Sequence, residues 1–147
     1  MGKDIAEKYA GKWRQESVEN LKELNKKLGL PKVARKIAKN MEVKFEIIPE
    51  ESSLKFKMKT KIITKKSSLP YSGEVFEDEG MNGEKIQSTL SFDGEDMIIV
   101  GKGIKAGDSL KEMKTVFKLI DGKLHLEQTI DDVTATRIMK RKEEVSK

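Results

Sequence analysis

The chain has 147 residues, of which 37% are charged and 36% hydrophobic, with a net charge of +5. Apolar positions recur along its whole length, which predicts one folded domain over residues 1–147 and argues against disorder. Cysteine is absent, which excludes a disulfide scaffold and a thiolate metal site. No segment approaches the roughly 20 apolar residues of a membrane span. The first ten residues are too polar for a signal peptide, so we expect a cytoplasmic protein.

The first part of the chain is predicted to contain one strand followed by two helices. Residues 9–16 have the pattern of a short strand. Ser17 is a suitable N-cap for a helix whose apolar residues recur at helical spacing, and Gly29 supplies the left-handed residue that ends it. Pro31 suits the first position of a second helix. The pattern therefore predicts a helix–turn–helix lid at about 17–41.

From residue 42 onward the apolar pattern changes to a period of two, which is typical of strands. Turn signals such as Asn82-Gly83 and Asp121-Gly122 recur about every ten residues, so that we count about ten strands. So many strands with one apolar face each need that face covered, and closure into a barrel covers it and removes the edges. We therefore predict an all-β, antiparallel up-and-down barrel, capped by the helical lid and followed by a charged tail after residue 141.

Several segments, taken in order, resemble the intracellular lipid-binding proteins, the calycin family of fatty-acid-binding and cellular retinoid-binding proteins. They are YAGKW at 9–13, SVEN at 17–20, LGLP at 28–31 with ARK at 34–36, GEVFE at 73–77 and VTATR at 133–137. The resemblance covers nearly the whole chain. It implies a monomeric carrier with an interior cavity for a small apolar ligand and with no cofactor.

Arg137 is the main candidate ligand residue. It shares a strand face with Val133, Ala135 and Met139, the face predicted to point into the barrel. There it would pair with a ligand carboxylate or phosphate. The alternatives are a structural ion pair with an internal acid, or an outward position after a register slip. The resemblance implies an arginine–tyrosine pair on a fatty-acid carboxylate, but Met139 stands at the tyrosine position and Phe117 where a second basic residue often lies.

Further residues are predicted to line the cavity. Gln128 lies one strand before Arg137, and the resemblance implies that this region offers a polar side chain to retinol or to a bridging water. An ordinary amide facing the core is the alternative. Apolar candidates, each of which could equally pack below the cavity, are Phe45, Phe56, Met58, Ile62, Met97, Ile99, Phe117 and Met139. We interpret Trp13 as structural, closing the barrel base.

Basic side chains suggest a second kind of contact. The outer face of the second predicted helix carries Lys32, Arg35, Lys36 and Lys39. An amphipathic basic helix attracts anionic headgroups, so this face is predicted to touch anionic membranes transiently; a solvated helix face is the alternative. The lysines between 55 and 66 form another basic concentration. Nucleic-acid binding is not expected, because the interleaved aromatic residues that it needs are missing.

The sequence does not predict an enzyme. The single histidine, His125, alternates with leucines and should point out of the barrel, and no Ser, Thr or Lys shows a base beside it. The first hypothesis is a carrier that buries a long-chain fatty acid or a similar apolar molecule. The second is a barrel with a lost or altered ligand site that acts through its basic surface, in membrane association or stress protection.

Overall fold

The computed structural model describes residues 2–28, 43–60, 64–79, 85–103 and 112–141. Two helices and ten strands lie in these ranges. The helices are α1 (Gly2–Glu7) and α2 (Leu21–Leu28). The strands are β1 (Gly11–Glu19), β2 (Lys44–Pro49), β3 (Ser53–Lys59), β4 (Thr64–Pro70), β5 (Phe76–Glu79), β6 (Lys85–Asp93), β7 (Asp96–Gly103), β8 (Met113–Ile120), β9 (Lys123–Ile130) and β10 (Val133–Arg141).

All ten strands form one antiparallel sheet that curls into a nearly closed barrel. The order is β4-β3-β2-β1-β10-β9-β8-β7-β6-β5, so strands that are neighbours in the chain pair with each other, except β4 and β5, and β1 also pairs with β10. The strands β4 and β5 are the two edges of the sheet. The prediction of an all-β, up-and-down barrel with about ten strands is confirmed, and its reason is the one given: closure covers the apolar face of every strand.

A helix absent from the sequence predictions closes one end of the barrel, which we call the base. Ala6 of α1 and Tyr9 just after it are both buried, and Ile5 packs partly buried beside them. The Tyr9 hydroxyl lies 2.9 Å from the carbonyl oxygen of Phe117 and 2.8 Å from that of Glu95, so the two acceptors share its proton. The polar composition of the first ten residues concealed these few apolar contacts.

The first strand is longer than predicted, and the prediction of Ser17 as a helix N-cap is wrong. Ser17 pairs with Ile138 inside the β1–β10 ladder, and the strand continues to Glu19. Sheet pairing therefore overrides the local capping preference of serine. The turn into α2 is made by Asn20 at φ 63°, a conformation that asparagine tolerates better than most residues. Its side-chain amide donates to the carbonyl oxygen of Thr134 at 3.0 Å.

The helix α2 covers the opposite end of the barrel, which we call the upper end. Leu21 and Leu24 are buried, and Leu24 packs with Ile130 and Ala135 beside the β9–β10 turn. Lys27 lies 3.5 Å from Asp132 in that turn. The helical cap after the first strand is thus observed in its first helix. The predicted stop at Gly29 and the predicted second helix lie outside the described residues.

Candidate ligand-binding site

The interior of the barrel differs between its base and its upper end. At the base, inward-facing side chains such as Met97, Phe117 and Met139 expose 1% of their surface or less. Toward the upper end, several inward-facing side chains are only half-buried; these include Gln15, Phe56, Met58, Ile99, Gln128 and Arg137. A side chain that points into a barrel and still keeps accessible surface borders a space that other side chains do not fill. The upper interior is therefore the candidate ligand site.

Arg137 lies on the inner face of β10 and is held by two amides. Its Nε donates to Oε1 of Gln128 at 3.2 Å, and its Nη1 donates to Oε1 of Gln15 at 2.5 Å. Both partners are neutral. Among the ion pairs of the described residues none involves Arg137, so the structural ion pair considered from the sequence has no acid in this part of the chain.

The environment of Arg137 disfavours its charge. Burial lowers the pKa of the guanidinium to about 10, because the charged form has lost much of its hydration. Two amide oxygens replace part of that hydration with dipoles but bring no negative charge. A guanidinium in this state would be stabilised by any anion that enters the upper interior.

Gln15 reaches Arg137 from β1, next to a bulge in that strand. The β1–β10 register shifts between Gln15, which opposes Met139, and Ser17, which opposes Ile138. An extra residue at this point lets Gln15 and Val18 both face the interior, although an unbroken alternation would turn one of them outward. Sequence reasoning missed Gln15 as a site residue. Its signal was present, since it stands two residues after the buried Trp13 and so on the same face of the strand.

Gln128 reaches Arg137 from the neighbouring strand. On β9 it stands opposite Ala135 of β10 and Thr115 of β8, one step toward the upper end from the Leu126–Arg137 pair. The side chain thus meets the guanidinium diagonally. The resulting trio of Gln15, Gln128 and Arg137 joins β1, β9 and β10 inside the barrel, which sequence reasoning had only partly assembled.

The apolar candidates separate into a wall and a floor. Phe56 and Met58 of β3 and Ile99 of β7 are half-buried and pack against the buried cluster of the base, which makes them the wall next to the upper interior. Phe117 is part of the floor, where its ring meets Tyr9 at 6.4 Å and Phe56 at 5.7 Å between centroids, both edge to face. The floor also contains Met97 and Met139. Of the remaining predicted site residues, Ile62, Lys32, Arg35, Lys36 and Lys39 lie outside the described residues.

Other kinds of site find no support in the described part of the chain. His125 stands on the outer face of β9, opposite Ile138 and Lys118, as predicted. No three His, Asp or Glu side chains in the described ranges come together as a metal site. Neither described helix is long and apolar enough to cross a membrane.

Comparison with known proteins assigns the family. No family model matches the chain. It is 34% identical over 137 residues to sodium/calcium exchanger regulatory protein 1 of Doryteuthis pealeii, over 93% of this chain and 98% of that protein. It is 31% identical over 134 residues to human cellular retinoic acid-binding protein 1, over 90% and 97% of the two chains. The chain belongs to the intracellular lipid-binding protein family.

Solved structures agree with this assignment. A structure titled REP1-NXSQ fatty acid transporter matches with a TM-score of 0.84 and 32% identity, over 93% of this chain and 98% of that one. Lipid binding protein 8 of Caenorhabditis elegans matches with a TM-score of 0.85 over 92% of this chain, and at 19% identity it shows the shared fold alone. Among these relatives, the human protein is named for retinoic acid binding and the REP1-NXSQ protein for fatty acid transport, so the chain belongs to a family that includes carriers of apolar ligands.

Proposed function

We propose that this protein is an intracellular, non-enzymatic carrier that holds a long-chain fatty acid or a similar apolar acid in the upper interior, with Arg137 binding the carboxylate. The observation that carries the proposal is an inward-facing guanidinium that has lost much of its hydration and whose described partners are two neutral amides. A buried charge without a counter-ion is costly, so a ligand that brings the counter-ion gains affinity from it. The fatty acid and retinoic acid in the names of its relatives have this chemistry.

The geometry of the trio favours an anion over a neutral head group. A guanidinium has five N–H donors, and the two glutamine bonds use only two of them. Each glutamine accepts through its oxygen and keeps its NH₂ group as a donor. A ligand carboxylate beside Arg137 could therefore accept from the guanidinium N–H groups that the glutamines leave free. Its chain would lie against Phe56, Met58 and Ile99, where each buried CH₂ contributes about 0.8 kcal/mol.

The test compares an acid with its uncharged ester. Oleic acid and methyl oleate are titrated by calorimetry or probe displacement into the delipidated wild type, Arg137→Met and Arg141→Met. The control arginine lies on the same strand but binds the base. We expect Arg137→Met to weaken the binding of oleic acid by about 1.5–3 kcal/mol and to leave the binding of methyl oleate unchanged. The control Arg141→Met should bind both ligands as the wild type does. Equal affinity of the wild type for the acid and the ester would refute the proposal that Arg137 binds the carboxylate.

A second function is kept because one observation favours it. The two positions at which the resemblance implies further carboxylate contacts hold Phe117 and Met139, and both side chains are buried in the floor. A barrel of this kind with an altered ligand site would act through its basic surface, in membrane association or stress protection. Native mass spectrometry of the purified protein distinguishes the two functions. A co-purifying acid supports the carrier, whereas an empty protein that does not bind fluorescent fatty acids but sediments with liposomes supports the alternative.

Membrane contact through Lys32, Arg35, Lys36 and Lys39, like a monomeric state, remains a prediction.

A further inference from the structure

Two hydroxyl side chains are buried on the inner face of the barrel. Thr115 of β8 and Ser88 of β6 keep only 9% and 8% of their surface exposed. Thr115 shares its strand face with the buried Phe117, and Ser88 shares its face with the buried Leu90, so both point inward. In the part of the chain that the structure describes, neither hydroxyl makes a hydrogen bond. A buried hydroxyl without a partner costs free energy, so it calls for a partner that the described chain does not supply.

The pattern of β8 is the reverse of the one that burial alone would select. Thr115 faces the interior, whereas its apolar neighbour Val116 lies on the outer face, opposite Glu127 of β9. Valine is buried far more often than threonine. Both residues are β-branched and suit a strand, so strand propensity does not explain this order. The inward hydroxyl therefore points to a role in the interior itself.

Strand register places Thr115 next to a glutamine that holds Arg137. Thr115 stands directly opposite Gln128, and the Cβ atoms of facing residues are about 4.5–5.5 Å apart. Gln128 accepts from Arg137 through its oxygen, and its NH₂ group donates to no side chain or carbonyl of the described ranges. An unused donor of Gln128 and the hydroxyl of Thr115 thus lie on neighbouring strands, one step toward the upper end from Arg137.

Ser88 extends this polar surface toward β6. It stands opposite Gly101 of β7, two residues after Ile99, which faces Thr115. A side-chain carbon at Gly101 would lie 3.3 Å from Oγ of Ser88, so the glycine leaves the inner surface between the two hydroxyls open. We call Gln128, Thr115 and Ser88 the polar strip. It leads from the guanidinium of the proposed anchor along one side of the upper interior.

We propose that the polar strip binds an oxygen atom on the chain of the ligand, so that the preferred ligand is a long-chain acid with a hydroxyl or keto group along its length. This inference rests on the proposed carrier function and names the class of its ligand. A ligand hydroxyl both donates and accepts, as serine and threonine do, and a keto oxygen accepts from those hydroxyls and from the amide of Gln128. A site built to hydrogen-bond such a group discriminates against a ligand that lacks it, because its own polar groups are then left unpaired.

The experiment compares stearic acid with hydroxystearic acids that differ in the position of the hydroxyl. Each acid is titrated by calorimetry into the delipidated wild type, Thr115→Val and Ser88→Ala. The controls are Thr89→Val and Ser91→Ala, the same exchanges on the outer face of β6. The ratio of two acid affinities cancels the contribution of the carboxylate, so a failure of the Arg137 anchor is distinguished from a failure of the polar strip.

We expect at least one hydroxystearic acid to bind the wild type about three- to tenfold more tightly than stearic acid does, which is the effect of one hydrogen bond. An apolar interior predicts the opposite order, because it would bury the ligand hydroxyl without a partner. Thr115→Val should abolish the preference and Ser88→Ala should reduce it. Both controls should keep it.

Three results would overturn the proposal. One is equal or tighter binding of stearic acid to the wild type, and another is a preference that survives in Thr115→Val. The third is a lower urea midpoint of ligand-free Thr115→Val than of Thr89→Val, since the hydroxyl would then have a partner within the protein. Binding of no acid at all would overturn the carrier function and this inference with it.

Discussion

Two arginines on the inner face of β10 summarise the difference between the base and the upper interior. Arg141, at the base, stacks on Trp13 with its guanidinium carbon 4.4 Å from the ring centre, and donates to the backbone oxygens of Ala10 at 2.6 Å and Lys8 at 3.2 Å. Arg137, farther up, bonds to two side-chain amides. Arg141 stabilises the fold through contacts with main-chain oxygens and an aromatic ring. The other is held in place by side chains that a ligand could displace or join.

The same contrast extends to the apolar residues. The base is a continuous cluster in which Trp13, Tyr9 and Phe117 are each about 1% exposed, and Trp13 Nε1 donates to the carbonyl oxygen of Tyr9 at 2.8 Å. The upper interior keeps half-buried residues such as Ile99 and Phe56. Stability should therefore reside mainly in the base and ligand affinity mainly in the upper interior.

The largest expected effect is at the packed floor of the barrel. Phe117→Ala should lower the free energy of unfolding by about 3–5 kcal/mol, because a fully buried ring is lost and the packed base cannot collapse around the space. Ile99→Ala, on the half-buried wall, should cost less than about 2 kcal/mol and should act more on ligand affinity. Urea denaturation of both variants makes the comparison; a larger loss for Ile99→Ala would reverse the assignment of the two regions.

Tyr9 should make the base sensitive to alkaline pH. Burial, helped by the charge of Asp96, raises the pKa of Tyr9 to about 12. Because this pKa lies above the value of about 10 in the unfolded chain, its contribution to stability is fully present below pH 10 and is lost as the pH rises through about 12. Tyr9→Phe should cost about 1–3 kcal/mol at neutral pH and should flatten the alkaline loss. Denaturation at a series of pH values tests this, and an alkaline loss that stays the same in Tyr9→Phe would contradict it.

The two arginines should separate stability from binding. Arg141→Met should lower the free energy of unfolding by about 1–2 kcal/mol, since it removes backbone hydrogen bonds and a cation–π contact. Arg137→Met should leave it unchanged or raise it, since a buried charge is replaced by a methionine of similar length. Thermal and urea unfolding in the absence of ligand measure both. A larger loss of unfolding free energy in Arg137→Met than in Arg141→Met would contradict this prediction.

The smallest expected effect concerns the orientation of Arg137. Gln15→Leu removes one of the two acceptors that hold Arg137 and should weaken the binding of an apolar acid by about 0.5–1.5 kcal/mol. The methyl ester of that acid should bind as it does to the wild type. Gln87→Leu, an amide on the outer face of β6, is the matched control. Competition with a fluorescent fatty acid resolves effects of this size. No change in acid affinity in Gln15→Leu would mean that Gln128 alone orients the guanidinium.

Much of the architecture could be predicted because its causes are local. Alternation of apolar residues and turn dipeptides such as Asp121-Gly122 lie within a few positions of one another, and the positive φ at both residues of that turn agrees with the prediction. The inward phase of Arg137 and of Gln128 followed from the same alternation. The start of α2 was misplaced because Ser17 has two competing roles, and pairing with β10, more than a hundred residues away in the chain, selects the strand.

By itself the sequence determined the ten-stranded barrel, the first helix of the cap and the face on which Arg137 lies, since each depends on periods of two or 3.6 residues. Only the tertiary structure decided that α1 closes the base, that a bulge after Gln15 turns Val18 inward, and that Phe117 and Met139 belong to a packed floor. It also brought Gln15 to Arg137 across 122 positions of the chain. Such contacts depend on register and on how strands close around a common interior, which no short window of residues specifies.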